Sequence, residues 1–132
     1  MKLPNAENAV VDIAKLRDYS LNPNHPEGKH KARVFQRKVG IRRDHADRLR
    51  QVILEAILTK DAIEQKSTVY GRRYIVDVRV STIEGEGVLL TEGVLQSRAL
   101  VRTAWMIRND ENFPRLTSCY VLPSAKERLE NG

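Results

Sequence analysis

The sequence predicts an α+β fold, with N-terminal helices packed on a twisted, mostly antiparallel sheet of about four strands. Two observations carry this prediction. Apolar residues in the first half recur at helical spacing, as in Leu49, Val52, Ile53, Ala56 and Ile57, whereas in the second half they alternate, as in Tyr74, Val76, Val78 and Val80. The two patterns are also segregated, helices first and a meander of strands afterwards, unlike the interleaving that a parallel sheet requires. At 132 residues the chain suits one domain, and 23 Lys and Arg against 17 Asp and Glu give it a formal charge of +6. That balance favours polyanionic partners, of which nucleic acid is the commonest. A single cysteine, Cys119, has no partner for an internal disulfide. The opening Met1-Lys2-Leu3-Pro4-Asn5 lacks the apolar core of a signal peptide, and no run approaches the ~18 apolar residues that span a bilayer. The expectation is a cytoplasmic protein with no membrane contact.

Within residues 1–132 the chain divides into a loose arm over 1–9, a helical half over 10–66, a sheet half over 67–123 and a charged tail over 124–132. The arm is read from Pro4, Asn5 and Asn8, which break any period. Asp12 caps a short helix from Ile13 to about Tyr19, and Asn22-Pro23-Asn24 then turns the chain. A basic helix over residues 26–39 follows, because proline is tolerated in a first helical turn and Gly40 suits a left-handed stop. Gly28, Ala32, Phe35 and Val39 form its buried stripe, Lys31 borders that stripe, and Lys29, His30, Arg33, Arg37 and Lys38 face elsewhere. Asp44 caps the third helix, where His45, like His30, is expected to be exposed. The helical pattern fades over residues 66–70, and Glu64-x-Lys66 is placed at a helix end.

Strands are expected over residues 73–81, 98–107 and 114–121. Between the first two, Gly85-Glu86-Gly87 offers a hairpin turn, and residues 88–95 add either an extra strand or an extended loop.

The chemistry centres on His25. It stands at the mouth of the basic helix, where unpaired amides carry partial positive charge and make a ready phosphate site. The plainer alternatives are a capping histidine at His25, a solvated lysine at Lys31, an Arg115 paired with a surface carboxylate, and a core tryptophan at Trp105. His25 and His30 are five apart across a proline and make no helical pair, and no Cys cluster exists, so neither a metal nor another cofactor is expected.

The pattern K-L-x-x-Y-x-L-N-P-x-H-P-x-G-x-x-K-A-x-x-F over residues 15–35 resembles an uncharacterised bacterial domain family found alone and at the C-termini of large secreted toxins. Tyr74-Ile75-Val76-Asp77-Val78, Val101-Arg102-Thr103-Ala104-Trp105 and Pro114-Arg115-Leu116-Thr117-Ser118-Cys119-Tyr120 are similar to its later landmarks. The connection between Ser81 and Arg98 is longer than the family pattern. Families of this kind have been grouped with the barnase, EndoU, colicin and RelE-like ribonucleases. The resemblance therefore implies a metal-independent endoribonuclease toxin that cleaves RNA, tRNA among the candidates, by transesterification through the 2′-hydroxyl. It also implies control by an acidic antitoxin or immunity protein.

Such chemistry needs a group to take the 2′ proton, charge to steady the phosphorane, and a proton for the leaving 5′-oxygen. His25 is assigned as general base or acid, and Lys31 and Arg115 as charge stabilisers. Thr117 and Tyr120 donate hydrogen bonds to the phosphate, with Tyr120 also able to stack on a base or relay a proton. Lys29, Arg33, Arg37 and Arg102 are assigned to RNA binding. Arg115 and Thr117 share a strand face by parity, and Tyr120 joins them only if a bulge intervenes. The alternative function is a non-catalytic basic module that binds RNA or a protein.

Overall fold

Asp12 opens the first helix as expected, its carboxylate accepting the Ala14 N–H at 3.0 Å. In the computed structural model, which describes residues 1–81, 83–84, 88–89 and 98–123, this helix (α1, Ile13–Lys15) runs directly into a wide π turn, Leu16–Ser20. α2 spans Lys29–Val39 and buries Ala32, Phe35 and Val39. It stops at Gly40, whose φ of 66° is left-handed and whose N–H donates to the Gln36 carbonyl at 2.9 Å. A 3-10 turn, Arg43–His45, leads into α3, Ala46–Ala56, which buries Ala46, Leu49 and Ile53. Among the described residues no helix is long and apolar enough to cross a membrane.

The strands are β1 (Ala62–Thr68), β2 (Gly71–Ser81), β3 (Ile83–Glu84), β4 (Val88–Leu89), β5 (Arg98–Arg108) and β6 (Arg115–Val121). Four of them form an antiparallel sheet in the order β1-β2-β5-β6, so the fold is α+β with its helices N-terminal to the strands. β3 and β4 pair with each other; residues 85–87, and the part of the expected extra strand beyond Leu89, lie outside the described residues, as does the tail over 124–132. One sheet face carries Tyr74, Val76, Val78, Val101, Trp105, Leu116 and Cys119 into a core shared with Leu16, Phe35, Leu49 and Ile53. Thr103 is the polar member of this face. Its hydroxyl donates to the Val76 carbonyl at 2.6 Å and accepts the Trp105 indole N–H at 2.8 Å, so neither group is buried without a partner.

β6 contains a bulge. Its partners on β5 run Ala104 with Ser118 and then Trp105 with Leu116, which leaves Thr117 unpaired and reverses the parity beyond it. Leu116, Cys119 and Val121 therefore point into the core, and Tyr120 turns outward on the side of Arg115.

Several expectations are corrected. Residues 1–9 are not a loose arm: Leu3 and Ala6 are buried, Ala6–Asn8 forms a 3-10 turn, and the Ala62 N–H donates to the Met1 carbonyl at 2.7 Å. These side chains fill the core without any period, which is why no pattern marks them. The helical half ends before residue 66, because β1 begins at Ala62 and carries Glu64 and Lys66 on a strand. Helix α2 begins at Lys29 after an entry turn, not at Pro26. The third helix is not capped by Asp44, whose carboxylate lies 3.4 Å from Arg42. His45 holds that helix's N-cap position without a side-chain cap bond and is buried, its Nδ1 accepting the Arg42 N–H at 2.9 Å to close the preceding 3-10 turn.

Candidate functional site

The motif residues between Tyr19 and Lys31 fold one another into place. Asn22 makes an Asx turn, its side-chain oxygen accepting the Asn24 N–H at 3.0 Å. The chain then reaches His25, whose Nδ1 accepts the N–H groups of Glu27 and Gly28, both at 3.0 Å, while its carbonyl accepts from Lys29 N at 3.0 Å. His25 thus caps the entry turn that leads into α2, whose own N-cap position is Gly28. Gly28 is required because a Cβ there would come within 2.2 Å of the Tyr19 carbonyl, so the π turn and the start of α2 touch backbone to backbone. That contact brings the Tyr19 and His25 rings edge to face, with centroids 4.7 Å apart.

Lys31, one turn into α2, carries its ammonium 5.0 Å from the Tyr19 ring centroid and 5.6 Å from that of Tyr120. Against this cluster lies a pocket of about 510 Å³ lined by Asp12, Lys15, Asp18, Tyr19, His25, Lys31, Thr117 and Ser118. Asp18 is held down to about 2 by hydrogen bonds from Arg17 and then Arg43, so it stays ionised and is already neutralised by those arginines. Lys15 and Lys31 therefore face Asp12 as the remaining carboxylate of the lining.

Of the residues expected to be catalytic, the structure brings His25, Lys31 and Thr117 to this pocket, with Tyr120 beside it through Lys31 and the bulge. Arg115 is not brought in. Its Nε and NH2 groups donate to the two carboxylate oxygens of Glu111 at 2.8 and 2.7 Å, and its guanidinium stacks 4.9 Å above Phe113. Arg102 is likewise closed, in a two-pronged pair with Asp77 at 2.9 and 3.0 Å. Lys29, Arg33 and Arg37 follow one another every fourth residue along α2, a stripe that the helical period turns away from Lys31. None of these three forms an ion pair among the described residues. Asp12, Lys15, Tyr19 and Ser118 line the site without having been assigned to it; Lys15 and Tyr19 belong to the motif over residues 15–35 and Ser118 to the landmark over residues 114–120, which is the signal that could have found them.

The hydrogen bonds restrict the chemistry. Two N–H groups converging on Nδ1 of His25 require a lone pair there, so in the neutral imidazole the proton sits on Nε2. As folded, His25 offers a donor and no lone pair for a base. The expected phosphate cradle at the helix mouth is corrected for the same reason, because the amides of Glu27 and Gly28 already serve the imidazole. Thr117 donates its hydroxyl to the Ala104 carbonyl at 3.1 Å.

The chain belongs to a family described as a domain of unknown function, DUF6883, which its residues 2–123 match. No curated protein and no solved structure matches it.

Proposed function

We propose that this family member is a metal-independent endoribonuclease of the toxin class, acting on cytoplasmic RNA and restrained by an acidic antitoxin or immunity protein. The observation that carries this reading is the meeting of His25, Lys31 and the β6 bulge in one pocket. In the reaction the RNA 2′-hydroxyl attacks its own phosphorus, the 5′-oxygen departs, and a 2′,3′-cyclic phosphate remains. Asp12 takes the 2′ proton, the Nε2–H of His25 donates to a non-bridging oxygen, and Lys31 offsets the phosphorane charge and protonates the 5′-oxygen.

The test is incubation of the purified protein with total RNA in EDTA. Cleavage with 2′,3′-cyclic ends is expected, and Lys31→Met should slow it by about 100-fold or more without unfolding the protein. Intact RNA with excess folded protein would sink the reading.

A second function is favoured by the closed state of His25, Arg102 and Arg115, which leaves the stripe of Lys29, Arg33 and Arg37 as open cationic surface. It is a non-catalytic module that binds RNA or a protein. For that module, His25→Ser, which keeps a capping oxygen, changes nothing, whereas reversing the charges of Arg33 and Arg37 abolishes binding.

A further inference from the structure

Behind the wall that carries His25 lies another pocket, also of about 510 Å³. Three pairs of chain neighbours divide between it and the pocket already described: Arg17 and Asp18, Asn24 and His25, Ala32 and Lys31. The first of each pair lines the new pocket and the second the old one. The two cavities therefore share one wall, built from the π turn, the Asx turn and the first turns of α2.

The new pocket has an apolar floor from Leu21, Ala32 and Ile41, all buried. Its charged groups already have partners. Arg17 and Arg43 hold Asp18 at 3.1 and 2.7 Å, and the Arg42 Nε lies 3.4 Å from Asp44. The polar groups left over are neutral, the side-chain amides of Asn24 and Gln36, which make no hydrogen bond among the described residues. Gln36 is four residues after Ala32, so the helical period sets its amide over the floor that the small alanine leaves open. An apolar floor rimmed by neutral amides suits a flat, uncharged ring better than it suits a phosphate.

We propose that this pocket takes the base of the nucleotide next to the one whose phosphate enters the first pocket, and that the base is adenine; the inference rests on RNA being the substrate. A carboxamide presents one donor and one acceptor side by side, and asparagine and glutamine pair in this way with the N6 and N7 of adenine. Adenine offers a mixed donor and acceptor pair on its Watson–Crick edge as well, so each of the two amides has an edge to read. Guanine shows two acceptors, O6 and N7, on its Hoogsteen edge, which calls for an arginine fork, and here the forks of Arg17 and Arg43 are turned to Asp18. A pyrimidine has no second edge of this kind. The shared wall puts base reading and phosphate chemistry on neighbouring nucleotides of one strand.

Titration with short 2′-O-methylated oligouridylates, which cannot be cut through the 2′-oxygen, tests the proposal by fluorescence anisotropy. Replacing one interior uridine with adenosine should tighten binding about tenfold, and Gln36→Ala or Asn24→Ala should remove that gain while leaving the all-uridine affinity unchanged. Both positions are exposed, so circular dichroism should show each variant folded. Equal binding of the two oligonucleotides would overturn the proposal, and so would a gain that survives both substitutions. A Gln36-dependent affinity for free adenosine with none for adenosine in the oligonucleotide would overturn it too, by making the ligand a free nucleoside. Because the titration reads binding without cleavage, its outcome separates from that of RNA digestion in EDTA. An adenine preference with RNA left intact supports the pocket and counts against the ribonuclease; cleavage indifferent to the neighbouring base and to Gln36→Ala does the reverse.

Discussion

Thr103 shows how much one small polar group can hold. Its oxygen is fully buried and completes the hydrogen bonds of both the Val76 carbonyl and the Trp105 indole. Thr103→Val keeps the shape and removes both bonds, leaving an indole N–H stranded in the core. The expected loss is about 1–3 kcal/mol in denaturant unfolding; no loss would mean that the indole finds another acceptor. At this scale the sequence was legible for residue type and blind to competition. His25 was correctly set at the head of the basic helix, yet nothing in the string says that its Nδ1 and an incoming phosphate would want the same two amides. Arg115 raises the same difficulty. Glu111 stands four residues earlier across a turn, and only the folded turn shows that the carboxylate takes the guanidinium first. Cys119 was legible as a small hydrophobe, and burial pushes its thiol up to about 12.

Among the elements, the π turn is fastened to the approach to α3. Arg17 and Arg43 both reach Asp18, at 3.1 and 2.7 Å, and the Arg43 Nε also donates to the Arg17 carbonyl at 3.0 Å. Because Asp18 titrates near 2 in the folded chain and near 3.8 when free, its charge stabilises the fold above about pH 4, and this contribution fades as the pH falls toward 2. Asp18→Asn should therefore lower Tm by a constant amount above that range, with the gap closing in acid. The gap should be small, since the carboxylate is solvated. A gap that widened in acid would refute the clamp. Helices α2 and α3 were legible because a buried stripe at i, i+3 and i+4 can hardly be anything else. β1 was not, because an edge strand with Ala62 as its buried residue has no alternation to read. The bulge was legible only as a condition, in that Tyr120 could join Arg115 if a residue were inserted, and Thr117 is that residue.

For the molecule as a whole, the α+β class followed from the segregation of the two periods, which survives local error. What it did not reveal is the role of the first residues. Leu3 is 2% exposed within the main core, so Leu3→Ala should cost about 2–5 kcal/mol, as for any large core side chain. Thermal or denaturant unfolding would measure it, and a neutral result would restore the loose arm.

Residues 1–10 engage Asp61 and Ala62 at one edge of the sheet and Pro114 and Leu116 at the other. In translation this segment emerges ahead of both sheet edges it docks on, and its second docking partner, β6, is the last strand of the sheet in chain order. The start of the chain must wait for nearly the whole domain to emerge, exposed meanwhile to chaperones and proteases, and it closes the molecule like a clasp once the final strand arrives.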